Sequence, residues 1–251
     1  MTTLFANRFP LTERRERLFT AGVTLLGLAL RLLLWSSQAQ VSVDGITFIR
    51  LARALGGEGV FDAAMPPGYP ALILIAQTLA RDWVLAARLV DLLAGLALIP
   101  LTWLLARSFV PLGWLRLMPA LAVALLPLPV RYSLTTMSEA PYLALLLGAF
   151  VLAVRRREAA AGILGGLSCL VRPEAVTALL VLAVFRRRRP KRAARLLGGL
   201  ALVVLPVLAA QGLATGVWRL GGELGDGAGS FAGRLGGNAL LYLMLERVSA
   251  R

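Results

Sequence analysis

The chain has 251 residues, of which 58% are hydrophobic and only 16% charged, and its mean hydropathy is +0.76. This apolar content exceeds what a soluble core of that length needs, so the composition predicts a membrane protein. There is no His and a single Cys, Cys169, which nearly excludes a zinc site and rules out an internal disulfide. The formal net charge is +14, but the basic clusters flank apolar segments, as the positive-inside rule describes, which argues against nucleic-acid binding.

Five apolar segments are predicted to cross the bilayer as helices, because a span needs about 20 residues. They are 18–35, 83–106, 115–130, 137–154 and 193–214. Between the first two, an outer loop with short helices is predicted over 37–82. Its segment Tyr69–Ala80 is apolar but too short to cross, so it is expected to lie at the interface or dip in and return.

The segment 158–185 is predicted to form a short helical hairpin. A single helix would bring Arg172 near mid-membrane, at a cost of about 2.5–3.5 kcal/mol, and Pro173 would break it. A turn at 172–174 avoids both problems and leaves both basic flanks on one side of the membrane.

The predicted fold is therefore all-α: a polytopic integral membrane helical bundle with about five full spans plus the hairpin. It forms a single membrane domain over 1–251, with a Gly-rich outer tail at 216–251. Most Lys and Arg fall on the side of the N-terminus, which assigns that side to the cytoplasm, and most carboxylates fall outside. The Ala/Leu/Arg/Gly-rich composition suggests a multi-pass protein of a bacterial inner membrane.

Asp44 is the strongest candidate for chemistry, because it directly follows the first span. An ionisable group beside hydrocarbon is costly and usually survives because it has a function or a partner. One alternative is a general base acting on an acceptor hydroxyl. The other is a cap for a helix starting at Gly45, since Asp is a favoured N-cap. The sequence leaves both open.

Glu139 is expected at the same outer rim as Asp44. The residues from Thr136 to Glu139 fit a capping box, which would be a purely structural role. Alternatively, Glu139 and Asp62 are candidates to bind an acceptor or a divalent cation.

Arg172 either pairs with Glu174 to ease the turn or holds a phosphate, since its planar guanidinium donates two bonds to phosphate oxygens. Arg131, Arg50 and Arg53 are further phosphate-binding candidates. A separate pair, Arg88 and Asp91, is predicted to be a structural ion pair within the second span.

Four stretches, in this order and spacing, resemble the GT-C superfamily of membrane glycosyltransferases, closest to the protein-mannosyltransferase and aminoarabinose-transferase-like group. They are Asp44 with Ile49-Arg50-Leu51-Ala52-Arg53; Met65-Pro66-Pro67-Gly68-Tyr69-Pro70; Ala86-Ala87-Arg88-Leu89-Val90; and Ser138-Glu139-Ala140-Pro141 with Ala161-Gly162-Ile163-Leu164-Gly165-Gly166-Leu167 and Leu170-Val171-Arg172-Pro173-Glu174. Together they cover about residues 18–190.

The chain departs from that family in three ways. Gly45 stands where many relatives have a second acidic residue, and Met65 stands where they have His. The chain is also shorter than those relatives. A fragment, a truncated gene product and a compact member are the alternatives that the sequence leaves open.

The resemblance implies an inverting transfer of a sugar from a polyprenyl-phosphate donor at the outer face of the membrane. Asp44 would be the base, and the partners would be the bilayer, the lipid-linked sugar and a glycan, lipid or protein acceptor. Cationic side chains or a divalent cation, Mg²⁺ or Mn²⁺, would stabilise the departing phosphate.

Two alternatives to an enzyme stay open: a non-catalytic relative acting as an assembly partner, and a transporter subunit. Transport sites usually lie near the midplane on broken helices in repeated halves. In this chain the acidic groups line one rim and no repeat is found, which favours chemistry at an interface.

Overall fold

The computed structural model describes residues 13–37, 41–59, 65–111 and 113–216. Within these ranges the chain is all-helical, with no strand, so the predicted all-α class is confirmed. In chain order the helices are α1 (Glu13–Leu34), α2 (Val43–Leu55), α3 (Gly68–Ala80), α4 (Trp83–Ala106), α5 (Met118–Leu125), α6 (Pro127–Tyr132), α7 (Glu139–Val154), α8 (Glu158–Val171), α9 (Ala175–Phe185) and α10 (Pro190–Thr215). A 3₁₀ turn at Leu115–Leu117 precedes α5. The Gly-rich tail predicted beyond Gly216 and the candidate residue Asp62 lie outside the described residues.

Three of the described helices, α1, α4 and α10, are long and apolar enough to cross a membrane. The third predicted span, 115–130, is not one continuous helix, because that segment is divided between the 3₁₀ turn, α5 and α6. Leu126 separates the two helices with an extended backbone (φ −65°, ψ 140°). The ring of Pro127 explains the break, since proline disfavours the helical conformation in the residue before it. The fourth predicted span is α7, which has only 16 residues.

The helical hairpin predicted at 158–185 is present as α8, a short turn and α9. Arg172 ends α8 with an extended backbone (φ −144°, ψ 117°), as expected for a residue that precedes proline. The remaining turn residues are Pro173 and Glu174, and α9 begins at Ala175.

Ion pairs join the helix termini that carry the basic segments, and these termini lie at one end of the bundle. Glu16, buried in the first turn of α1, lies 3.1 Å from Arg116 and 3.7 Å from Arg107, which joins the start of α1 to the end of α4. Glu158 lies 3.3 Å from Arg186 and so joins the start of α8 to the end of α9. We call this the basic end.

The opposite end, which we call the loop end, holds the starts of α2, α4 and α7 and the α8–α9 turn. The backbone N–H of Met137, just before α7, donates to Asp91 in the third turn of α4, so the start of α7 packs against α4. At the last turn of α1, the Arg88 guanidinium donates to the carbonyl of Trp35 and lies 4.0 Å above its ring.

A buried arginine fastens α5 to α1. Arg31 is fully buried, and its guanidinium donates to the carbonyls of Gly27 (3.0 Å), Ala124 (3.3 Å) and Val123 (3.1 Å). Because α5 stops at Leu125, its last carbonyls lack helical partners, and a cation at a helix C-terminus also complements the helix dipole. The break before Pro127 and the buried arginine are therefore one structural unit.

The helices α8 and α10 approach each other closely through glycine. A methyl group at Gly162 would overlap the carbonyl oxygen of Leu196, and one at Gly199 would overlap that of Ala159. Small residues of this kind let the backbones of membrane helices come into direct contact.

Candidate functional site

The first turn of α2 is held against the segment between α6 and α7. The N–H of Ser42 donates to Thr136 Oγ1 at 3.2 Å, and the Ser42 hydroxyl donates to the Thr136 carbonyl at 2.7 Å. Ser42 Oγ also accepts from the N–H of Gly45 at 2.9 Å, so Ser42 is the N-cap of α2. The capping alternative for Asp44 is therefore wrong, because the cap lies two residues earlier.

Asp44 itself is exposed in the first turn of α2, where the helix dipole favours a negative charge. Its side chain makes no hydrogen bond or ion pair with the other described residues. The neighbouring Gly45 lies so close to Thr136 that any side chain at position 45 would overlap it. A second acidic residue cannot occupy this position without moving α2, which explains why glycine stands there.

The capping box predicted at 136–139 is not formed. Helix α7 begins at Glu139, and its N-cap, Ser138, makes no side-chain hydrogen bond to the helix. The Thr136 hydroxyl instead accepts from Ser42 of α2. Thr136 therefore joins two segments at the loop end instead of starting a helix.

The Pro-Pro-Gly-Tyr-Pro segment lies directly against the end of α8. A Cβ at Gly68 would lie 2.5 Å from the carbonyl carbon of Leu170 and 2.6 Å from the backbone nitrogen of Val171, so only glycine fits. The next residue, Tyr69, is fully buried, and its ring meets that of Phe48 from α2 edge-on at 4.9 Å. The first, second and fourth of the stretches that resemble the GT-C superfamily are thereby joined in space.

Asp91 is the buried polar centre of this end. It is 0% exposed, and its Oδ2 accepts from the Tyr69 hydroxyl at 2.8 Å and from the N–H of Met137 at 3.2 Å. Its Oδ1 is buried without a hydrogen-bond partner among the described residues. The predicted Arg88–Asp91 ion pair is wrong, because Arg88 turns to Trp35 instead.

Asp91 has a partial signal in the sequence, because it is a carboxylate eight residues inside an apolar span. Its partner Tyr69 comes from another helix, so no spacing rule within α4 could have found it.

Glu139 and Arg172 form an ion pair at the loop end. Arg172 Nη1 lies 2.7 Å from Glu139 Oε1, while Nη2 reaches Glu174 Oε1 at 3.5 Å. The guanidinium also lies 5.8 Å from the centre of the Tyr142 ring. Burial opposes the charge of Arg172, but Glu139 and Glu174 outweigh it and raise the pKa of the guanidinium, so this arginine keeps its charge. The pairing with Glu174 predicted from the sequence is present but is the longer of the two.

The other basic candidates differ in how far they are engaged. Arg50 and Arg131 are exposed, and neither side chain bonds to a carboxylate of the described residues. The guanidinium of Arg53 lies 5.7 Å from the centre of the Trp83 ring.

No ligand set for a divalent cation is found in the described part of the chain. No group of three or more His, Cys, Asp or Glu residues is placed there to hold a metal ion. Glu139, the predicted metal candidate in these ranges, has Arg172 against one of its oxygens, and a guanidinium in that position repels a cation. These residues do not fit Mg²⁺ or Mn²⁺.

Comparisons with protein-family models, with curated proteins and with solved structures find no match to this chain. The likeness to the GT-C superfamily rests on the sequence stretches described above.

Proposed function

We propose that the chain is an integral membrane glycosyltransferase that moves a sugar from a polyprenyl-phosphate donor to an acceptor hydroxyl at the loop end, with Asp44 as general base. One observation carries the proposal. Stretches 24 to 128 residues apart from Asp44 in sequence meet at one end of the bundle, where Asp44 is exposed and pairs with none of the described residues and Arg172 is charged.

In the proposed reaction the acceptor oxygen attacks the anomeric carbon of the donor while its proton passes to the Asp44 carboxylate. The new bond joins the acceptor oxygen to that carbon, and the bond from the carbon to the phosphate oxygen breaks. Polyprenyl phosphate leaves with the bonding electrons, and the configuration at the carbon inverts. Attack from the face opposite the leaving group requires base and phosphate-binding groups on opposite sides of the sugar.

The phosphate would be held by arginines of the loop end. Arg172 already shares its guanidinium with two carboxylates, so an incoming phosphate would have to compete with Glu139. Arg131 and Arg50 have no such competitor among the described residues and are the more available ligands.

The topology of the proposed enzyme follows from its two ends. We infer that the basic end faces the cytoplasm and the loop end faces outward, by the positive-inside rule. The shorter helices α5 with α6, α7, α8 and α9 would pass between the two faces beside the three long ones. A bacterial inner membrane, crossed several times, is the proposed location.

The test is turnover with lipid-linked sugars after reconstitution of the chain in lipid. Asp44→Asn should lower the transfer rate by about 10²–10⁴-fold, the usual contribution of a general base. Glu58→Gln is the matched control, because Glu58 is an exposed carboxylate just beyond the other end of α2 and should leave the rate unchanged. Equal rates for wild type and Asp44→Asn would eliminate Asp44 as the base.

The rival function is a non-catalytic membrane relative that serves as an assembly partner. The observation in its favour is the Glu139–Arg172–Glu174 cluster, which neutralises the central arginine of the site. Absence of turnover with every polyprenyl-phosphate sugar, together with an intact fold, would favour this rival.

A further inference from the structure

An open groove of about 640 Å³ runs along the lipid-facing side of α1, in the half nearer the basic end. Its walls are formed by apolar side chains of α1 and α5, which include Leu18, Phe19, Leu26 and Leu121. Gly22 leaves space in the middle, since nothing lies within 4 Å of a Cβ placed there. Arg15 lines the groove about one helical turn before Leu18 and Phe19, so the end of the groove nearest the basic end carries a cation.

The charge of Arg15 is not neutralised by the protein residues that the structure describes. The two carboxylates at the start of α1 are taken by other arginines: Glu13 by Arg17 at 2.6 Å and Arg107 at 3.3 Å, and Glu16 by Arg116 at 3.1 Å. Arg15 forms no ion pair with a described residue. An apolar groove ending at a cation that no described residue pairs is complementary to a molecule with a hydrocarbon chain and an anionic head.

We propose that this groove binds one acyl chain of an anionic phospholipid, whose phosphate contacts Arg15. The membrane supplies such a molecule in the right orientation, because its headgroups lie level with the basic flanks of membrane helices. A transmembrane helix of a partner would match the apolar walls but would not neutralise Arg15. The inference does not depend on the proposed sugar transfer.

Two substitutions separate the two parts of the site. Gly22→Phe places a large side chain in the groove from a position where a Cβ meets nothing within 4 Å, and Gly198→Phe is its control, because Gly198 is an exposed helical glycine of α10 whose Cβ would also have nothing within 4 Å. Arg15→Gln removes the headgroup contact. Arg14→Gln is its control, because Arg14 is equally exposed but points about 100° away around the helix and does not line the groove.

The measurement is native mass spectrometry of the purified chain with phosphatidylglycerol or phosphatidylcholine added in equal amounts. Both lipids carry a phosphate, but only phosphatidylglycerol has a net negative charge, because the choline group of phosphatidylcholine is a cation. We therefore expect wild type to retain phosphatidylglycerol about five-fold more than phosphatidylcholine, as one basic side chain near an anionic surface predicts. Arg15→Gln should abolish this preference, and Gly22→Phe should lower retention of both lipids by five-fold or more. Both control variants should behave as wild type.

Three results would overturn the proposal. Equal retention of the two lipids by wild type would remove the headgroup contact. Equal effects of Arg14→Gln and Arg15→Gln would assign the preference to the basic end as a whole. A change from dimer to monomer in Gly22→Phe alone, measured by mass in the same spectra, would show that a second copy of the chain fills the groove instead.

Discussion

Asp91 holds three segments together with a single oxygen. Both donors, the Tyr69 hydroxyl and the Met137 N–H, bond to Oδ2, and they come from α3 and from the segment before α7. A buried carboxylate is costly, and among the described residues no arginine or lysine compensates it. The packing of the loop end therefore depends on a hydrogen-bond acceptor at position 91 more than on a negative charge there.

Replacing Asp91 separates these two roles. Asp91→Leu leaves two buried donors without an acceptor and should lower the free energy of unfolding by about 2–4 kcal/mol. Asp91→Asn keeps an acceptor oxygen for both and should cost less than about 1 kcal/mol. Unfolding can be followed through the reactivity of Cys169, which is buried in the folded chain. Equal losses in the two variants would mean that the charge itself is required.

At the residue scale, sequence order and residue type were enough to select Asp44, Glu139 and Arg172 as groups of one end. Their contacts were not predictable in the same way. The pairing rule for residues three apart joined Asp91 to Arg88, but in the folded chain a tyrosine from α3 reaches Asp91 first. Spacing rules within one helix cannot predict a hydrogen-bond partner that comes from another helix through tertiary packing.

At the scale of elements, the break between α5 and α6 has its own compensating cation. Arg31 of α1 supplies donors to the last carbonyls of α5, which Pro127 prevents from continuing as a helix. The cost of burying a guanidinium is thereby offset by main-chain acceptors that would otherwise be unpaired.

Arg31→Met should release the end of α5 from α1. Removal of the guanidinium leaves two α5 carbonyls without their donor, and we expect a destabilisation of about 2–4 kcal/mol. Hydrogen exchange of residues 118–126 should accelerate, while exchange in α8, which Arg31 does not touch, serves as the internal control. Unchanged protection of 118–126 would contradict the proposed role, and Arg31→Lys should lie between wild type and Arg31→Met.

The ends of a helix could be predicted from the sequence where a single feature, such as an apolar stretch or a proline, determines them. Helix α4 covers the predicted span 83–106, and the turn at Pro173 divides α8 from α9 as expected. The segment 115–130 is predicted as one helix because its hydropathy is continuous, but its helical backbone is interrupted at Leu126. Pro127 disfavours the helical conformation at Leu126, and the mean hydropathy of the segment carries no information about that effect.

At the scale of the whole molecule, charge divides the bundle into two unlike ends. The basic end carries the arginine clusters at the start of α1, after α7 and around the start of α10, whereas the loop end carries the exposed carboxylates Asp44 of α2 and Glu174 of the α8–α9 turn. The proposed orientation, with the basic end in the cytoplasm, rests on this asymmetry.

Labelling of single cysteines tests that orientation. The end of α2 also lies at the loop end, because Arg53 contacts Trp83 at the start of α4. In a Cys169→Ser background, Glu58→Cys, just beyond that end of α2, should react with a membrane-impermeant maleimide in intact cells. Arg187→Cys at the basic end should react only after the cells are permeabilised, since both positions are exposed in the folded chain. The reverse pattern would invert the topology.

Glu174→Cys extends the same experiment to the hairpin. The turn between α8 and α9 lies at the loop end, so position 174 should label from the same side as position 58. Labelling of 174 only together with 187 would contradict the hairpin and require another path for this segment.

The contact of Gly68 with the end of α8 has a mechanical consequence. Helix α8 touches other backbones directly near both of its ends: Gly68 of α3 at Leu170, and Gly199 of α10 at Ala159. Because these contacts involve backbone atoms and no flexible side chains, α8 cannot translate or rotate unless one of them breaks. Arg172, which follows the last residue of α8, is therefore held in a fixed position. Any adaptation to molecules of different size is then expected from the side chains on the outer face of α2.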